Sequence, residues 1–467
     1  MIDSRRRNTA LLVAGCFFME NFDGTIVTTS APRMAEAFGV EPAAVGLVSA
    51  AYLITLAVLI PLSNWLTRRY GTRPVFLSAI VIFTLASLGC ALSQSLPMLV
   101  IMRILQGVGG AMMVPVGRMA VLNTAEKSDI VRLVAYIVWP ALVAPVIAPL
   151  AGGLITTYLS WHWMFLINLP LGVVAFIAAW RLIDSIDAPA PPPLDWTGMV
   201  LSGIGLGGLT YAAHLVTDPA PGPWPVIIGA ASVIITVIAV RHLLRARHPL
   251  LNLRIWSVRT FRASQASGFA FMLAMSSVPF LLPLLFQQVF GWSAIQSGAV
   301  VLCVFIGNIG IKPATTGLIN AFGFRPLLVI ATIGLAGSVI GLGLTTTGTP
   351  IAVIAVLAMI SGVFRSLGMT CYNTIGLADV PADRMGDANA LSATTHQLAA
   401  GLAIALASVV WQLATVTAPG MIGGLPYSIA FAGIALFALL AAIGAIRLPA
   451  GSGDAVRHPA RVRSGGR

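Results

Sequence analysis

Fourteen apolar runs of roughly 18–25 residues, parted by short polar clusters, fill most of this chain. Each is long enough to cross a hydrocarbon core about 30 Å thick as a helix. A backbone in lipid has to satisfy its own hydrogen bonds, which leaves helices as the spanning structure for runs of this length. The expectation is an all-α polytopic membrane protein. The runs are residues 9–30, 43–66, 74–91, 97–123, 133–157, 163–183, 199–216, 224–240, 263–287, 294–318, 327–344, 350–372, 389–413 and 428–446. Composition agrees: 58% of the 467 residues are hydrophobic and 9% charged, a balance outside that of soluble domains.

Basic residues gather at the ends of alternate runs. Arg5, Arg6 and Arg7 precede the first; Arg68, Arg69 and Arg73 follow the second; Lys127 and Arg132 follow the fourth; Arg181 follows the sixth. Arg241 to Arg262 follow the eighth, Arg325 the tenth, Arg384 the twelfth, and Arg447 to Arg467 the last. The intervening loops hold almost no Lys or Arg, Arg33 excepted. That is the positive-inside pattern, and it predicts that both termini are cytoplasmic. The net charge of +12 therefore reads as topology, with anionic membrane lipids as partner and no nucleic acid. Cys16, Cys90, Cys303 and Cys371 lack metal-ligand spacing and read as buried thiols. The first run reads as a retained signal anchor.

An internal echo divides the chain. Tyr70-Gly71-Thr72-Arg73-Pro74 follows the second run, and Phe322-Gly323-Phe324-Arg325-Pro326 follows the tenth, an offset of 323 − 71 = 252 residues. The predicted layout is a six-helix half at 1–187, a linker with an inserted seventh and eighth helix at 188–262, a second six-helix half at 263–447, and a basic tail at 448–467.

Within the first run lie two carboxylates, Glu20 and Asp23, three residues apart and so on nearly one helix face. An ionisable group at mid-bilayer costs about 2.5–3.5 kcal/mol on insertion scales and is a functional-site hypothesis by default. The fourth run opens with Arg103, and Gln106, Gly107 and Gly110 continue its face. An arginine stays charged, so it needs an acid or acceptors. Pairing with Glu20 or Asp23 gives a candidate proton-coupling site; a static ion pair or snorkelling to the outer face is the plainer reading. Asn21, Gln106, Asn308, His396 and Gln397 are candidates for a substrate cavity. Pro145, Pro149, Gly152 and Gly153 make the fifth run compliant and closely packed, which suits a gate or packing alone. Arg68, Arg69, Gly71 and Arg73 form a cytoplasmic turn that clamps helix ends or carries topogenic charge only.

These residues resemble, over nearly the whole chain, the fourteen-helix drug:proton antiporters of the major facilitator superfamily, the EmrB/QacA-type group. Phe22-Asp23-Gly24-Thr25-Ile26-Val27 is similar to the first-helix motif, with Asp23 at its acidic position. Residues 103–115 resemble the fourth-helix motif, whose arginine is implicated in proton coupling. Ala148-Pro149-Leu150-Ala151-Gly152-Gly153 resembles the fifth-helix antiporter motif, with Ala148 in place of its first Gly. Residues 161–170 match the segment entering helix six. The loop motif departs from the family: Asn64 and Arg68 stand where Gly and Asp are usual, which puts an acid-based clamp in doubt. Glu20 stands where a neutral polar residue is common; it would favour cationic substrates or add a protonation site. Residues 106–117 and the Trp-His-Trp segment look closest to the MdtD-like permeases.

The resemblance implies a non-enzymatic exporter of amphipathic small molecules, exchanging them for protons by alternating access in the bacterial inner membrane. No cofactor beyond the proton gradient and no metal is expected, and an accessory partner is not specified. A transporter of one specific metabolite on the same fold is the alternative. A non-transporting membrane sensor is disfavoured by the mid-membrane charges and the lack of a sizeable extramembrane domain.

Overall fold

The computed structural model describes residues 4–122, 130–184, 193–216, 222–381, 384–417 and 425–448. The expectations for Lys127, for the Pro-rich stretch 188–192 and for the tail beyond 448 lie outside the described residues, as do the side chains of Asn64 and Arg132.

Every apolar run is met by helix. In chain order these are α1 Ser4–Phe38, α2 Gly46–Tyr70, α3 Thr72–Ala91, α4 Leu96–Leu122, α5 Ile130–Tyr158, α6 Trp163–Leu166, α7 Asn168–Leu182, α8 Trp196–Leu215 and α9 Trp224–Arg245. Then follow α10 Arg259–Leu284, α11 Ala294–Gly310, α12 Lys312–Phe322, α13 Phe324–Gly343, α14 Ile351–Ala378, α15 Met385–Thr417 and α16 Leu425–Ile446. Two runs are broken. The sixth is divided at Ile167 between α6 and α7, and the tenth at Ile311, where α11 and α12 meet at 50°.

Eleven described helices are long and apolar enough to cross a membrane, or up to twelve if α11 and α12 form one span. The fourteen expected crossings are thus matched by helices but not by that count. The described apolar part of α5, Val143–Tyr158, is short. The 20-residue α8 spends five of its positions on glycine, which adds little to its apolarity.

The chain forms two compact units: Met1–Leu250 with Ser293–Gly298, and Leu251–Trp292 with Ala299–Arg467. In the first, α1 packs on α4, α5 and α7, and α3 on α4 and α7. In the second, α10 packs on α14, α15 and α16, and α13 on α14 and α16. The two pairing schemes are the same, helix for helix. Backbone conformation repeats with them. Gly71 (φ +87°) and Gly323 (φ +82°) turn between successive helices, and Gly39 (φ +64°) and Gly291 (φ +67°) sit at the preceding turn. Both pairs are 252 residues apart. In this left-handed region a Cβ is strained, which explains why glycine stands at all four. The α8–α9 hairpin packs on itself and leans on α2.

Between helices in lipid, close van der Waals packing replaces the hydrophobic drive, so small residues set the contacts. A Cβ on Gly109 would stand 2.6 Å from the Phe83 backbone nitrogen, which pins α4 to α3. One on Gly107 would stand 3.1 Å from the Tyr52 carbonyl oxygen, which pins α4 to α2. Phe76, Phe83 and Met113, all fully buried, fill the space among these helices.

Candidate functional site

The close approach of α4 to α2 decides where Arg103 goes. With no side chain on Gly107 or Gly110, the guanidinium slides under the Tyr52 ring, 4.3 Å from its centre, with the Phe165 ring at 5.7 Å. There it meets α1. Arg103 Nη1 donates to Asp23 Oδ2, and both side chains are 0% exposed. Arg103 Nη1 also donates to Gln106 Oε1 (2.6 Å), and Nε to the Val48 carbonyl (3.4 Å).

The other carboxylate oxygen is held by amides. Gln106 Nε2 (3.0 Å) and Asn168 Nδ2 (2.8 Å) both donate to Asp23 Oδ1. The same two amides donate to Ser87 Oγ, at 2.7 and 3.3 Å. Asn168 reaches the site because the sixth run breaks at Ile167, which starts α7 at this residue. Desolvating two charges costs several kcal/mol each, and such a pair holds only when further hydrogen bonds satisfy it. Here they do so incompletely: Arg103 Nη2, Tyr52 Oη and Asn168 Oδ1 are buried without a partner among the described residues.

Glu20 does not join this cluster. It is 8% exposed, one turn before Asp23, and its Oε2 is buried without a hydrogen bond. Two charges act on it: that of Arg118 on α4, whose guanidinium lies 4.9 Å from the centre of the Phe17 ring on α1, and that of Asp23. Asp23 is thus ion-paired to Arg103, and Glu20 is only in the field of a second cation of α4.

The remaining candidates are spread out. Asn21 turns its amide onto the Phe17 carbonyl of its own helix (2.9 Å). Asn308, His396 and Gln397 are half-buried in the second unit, and no hydrogen bond joins them among the described residues. Pro149, Gly152 and Gly153 are buried and Pro145 half-buried. A Cβ on Gly152 would stand 3.0 Å from the Ile26 carbonyl oxygen, and one on Gly153 2.6 Å from that of Ala294. The fifth-run motif therefore sets α5 against α1 and against the start of α11, within the first unit. At the turn around Gly71, Arg73 donates to the Trp180 carbonyl (2.8 Å) and stacks on that indole at 4.9 Å, tying α3 to α7. Arg68 and Arg69 are exposed. In the segment entering α6, burial pushes the His162 imidazole below its usual range, and its Nδ1 lies 2.5 Å from Ser160 Oγ.

Four residues of the site were not singled out from sequence: Tyr52, Ser87, Arg118 and Asn168. Asn168 and Arg118 left a signal, since each is a strongly polar side chain inside an apolar run. Tyr52 and Ser87 left none, being ordinary in spanning helices.

Eleven or more described helices of membrane-spanning length, with pairings repeated in the two units, define a multi-pass membrane protein. The chain belongs to the Major Facilitator Superfamily, whose family model matches residues 13–403. It is 35% identical over 407 residues to a relative from Escherichia fergusonii named MdtD, covering 86% of this chain and 85% of that one. A relative of the same name from an Escherichia coli O139:H28 strain is 34% identical with the same coverage. That name carries multidrug resistance as a provisional attribution. Among solved structures, the fold is similar to a POT family transporter in complex with 5-aminolevulinic acid (TM-score 0.69, 14% identity, 94% of each chain). It is also similar to a D-xylose-proton symporter (TM-score 0.64, 16% identity, 92% of this chain and 96% of that one).

Proposed function

We propose that this chain is a proton-coupled exporter of amphipathic small molecules, an antiporter working by alternating access between halves at 1–187 and 263–447, with 188–262 inserted. The observation that carries the proposal is the fully buried Asp23–Arg103 pair held by Gln106 and Asn168. A carboxylate so placed has two alternative states. Ionised, it neutralises Arg103 and accepts from both amides. Protonated, it leaves Arg103 with Gln106 Oε1 and the Val48 carbonyl as acceptors, and the α1–α4 contact loosens. Exchange between these states, coupled to which side the site faces, moves protons against substrate. Glu20, one turn from Asp23 on α1, modifies the site by its charge, and the close packing of α5 on α1 at Gly152 supports a sealing role for the Pro145–Gly153 stretch. The multidrug attribution of the MdtD relatives supports the breadth of substrate. The charge pattern supports an inner-membrane setting with both termini cytoplasmic.

The test is transport in proteoliposomes under an imposed pH gradient. Asp23→Asn is expected to abolish gradient-driven transport while the protein still inserts. Retained uphill transport by this variant would refute the assignment.

A further inference from the structure

Charge is balanced differently in the two repeats. In the first unit Asp23 on α1 is paired with Arg103 on α4, Glu20 lies in the field of Arg118 on α4, and Glu36 pairs with Arg33 of its own helix. The second unit reverses the inventory. Its carboxylates are Asp379, Asp383, Asp387 and Asp454, all outside the stretch from α10 to α14. At the offset of 252 residues, Met272 and Met275 stand where Glu20 and Asp23 stand in the first repeat. Of the five cations in these helices, Arg259, Arg262 and Arg325 are exposed, whereas Lys312 and Arg365 are half-buried.

The repeats share a close helix contact near Arg365: Gly362 brings α14 onto the Val304 carbonyl of α11 as Gly107 brings α4 onto the Tyr52 carbonyl of α2, and 304 is 52 plus 252. Arg103 lies one turn before its glycine and stacks on Tyr52; Arg365 lies one turn after its own and stacks on Phe305, 5.2 Å from the ring centre. Arg103 is paired with a carboxylate; among the described residues, Arg365 is not. Arg365 Nη1 is buried with no hydrogen-bond partner, and so is the hydroxyl of Ser366, which is 1% exposed. Further along α14, Thr370 Oγ1 accepts from Lys312 Nζ (3.2 Å). Lys312 is the first residue of α12, just past the 50° bend. Lys312 and Arg365 are both half-buried rather than sealed. A guanidinium keeps its charge, and a desolvated charge without a counter-ion is strongly unfavourable.

We propose that Arg365, with Lys312 reaching α14 at Thr370, forms an anion-binding subsite in the second unit, which takes the carboxylate of an amphipathic organic acid as its missing counter-charge. The proposal rests on the export reading above and names its substrate class. It also shifts weight away from the cation preference that Glu20 suggested, because Asp23 is already paired with Arg103.

The experiment compares binding of 2-naphthoate and its neutral isostere 2-naphthamide to the purified full-length protein. The wild type is expected to bind 2-naphthoate at least about tenfold more tightly, the worth of one charged hydrogen-bonded contact. Arg365→Gln is expected to erase that preference while leaving the amide within about twofold, and Arg365→Lys to retain part of it. Lys312→Gln weakens the carboxylate about threefold and serves, with Arg365→Lys, if Arg365→Gln does not fold. Equal affinities for the two probes, no binding of 2-naphthoate, or a preference unchanged in the variants would each overturn the subsite. Proton coupling is read separately, by pH-gradient transport of the wild type and Asp23→Asn, so the export reading and the subsite can fail independently.

Discussion

Asp23 and Glu20 look alike in sequence, and the environment separates them. Asp23 is locked to Arg103 and two amides, whereas Glu20 has an unbonded oxygen and feels the charges of Arg118 and Asp23 without an ion pair among the described residues. Removing one partner of a buried pair strands the other charge and costs about 3–5 kcal/mol. Asp23→Asn is therefore expected to destabilise the protein more than the double variant Asp23→Asn/Arg103→Gln, as measured by thermal unfolding in detergent. An additive double variant would show that the pair is not a unit. For Glu20, a cycle of Glu20→Gln and Arg118→Gln is expected to give a coupling energy of about 0.5–3 kcal/mol; zero coupling would break the link drawn between them. The sequence announced the acids and Arg103 because a charge in an apolar run is conspicuous. It did not say which acid Arg103 would take, since Glu20 and Asp23 share one face of α1. That choice depends on how far Gly107 lets α4 slide against α2, and on Asn168 arriving from a distant helix break.

At the scale of elements, turns and caps are the most exposed to test. Gly71 and Gly323 hold the same backbone geometry, so Gly71→Ala and Gly323→Ala are each expected to cost about 1–3 kcal/mol, and by similar amounts. A large cost at one and none at the other would count against equivalence of the two repeats. The inserted hairpin has its own fastening. Burial alone would raise Asp195, but the Gly198 N–H (2.8 Å), His242 Nε2 (2.7 Å) and the Leu250 N–H (3.2 Å) together hold its carboxyl below the usual range. A depressed carboxylate stabilises the folded state above its unfolded pKa, about 3.9, and loses that contribution as pH falls through the lower folded value. Asp195→Ala is therefore expected to cost about 1 kcal/mol at pH 6–7, and the gap to wild type to close in acid. A gap that persists unchanged below the carboxylate range would show that the cap does not act through its charge. None of this fastening was read from sequence, where Asp195 is one more polar residue after a proline-rich stretch.

For the whole molecule, periodic apolarity was enough to give the class, and one five-residue echo at an offset of 252 was enough to suggest the duplication that the helix pairings repeat. The number of crossings was less legible. Pro140, Pro145 and Pro149 in α5, the glycines of α8 and the bend at Ile311 all keep a run apolar on average while altering how it would cross. Substrate chemistry was not legible at all from the runs. It enters only through the contrast between Asp23, answered by Arg103 in the first repeat, and Arg365, without a carboxylate partner among the described residues in the second.

The central claim is that Asp23 carries the coupled proton. Proton release from the purified protein on addition of transported substrate, followed with a pH-sensitive dye in weak buffer, tests it most directly. The wild type is expected to release protons and Asp23→Asn none, with Glu20→Gln still releasing. Release that survives in Asp23→Asn would contradict it.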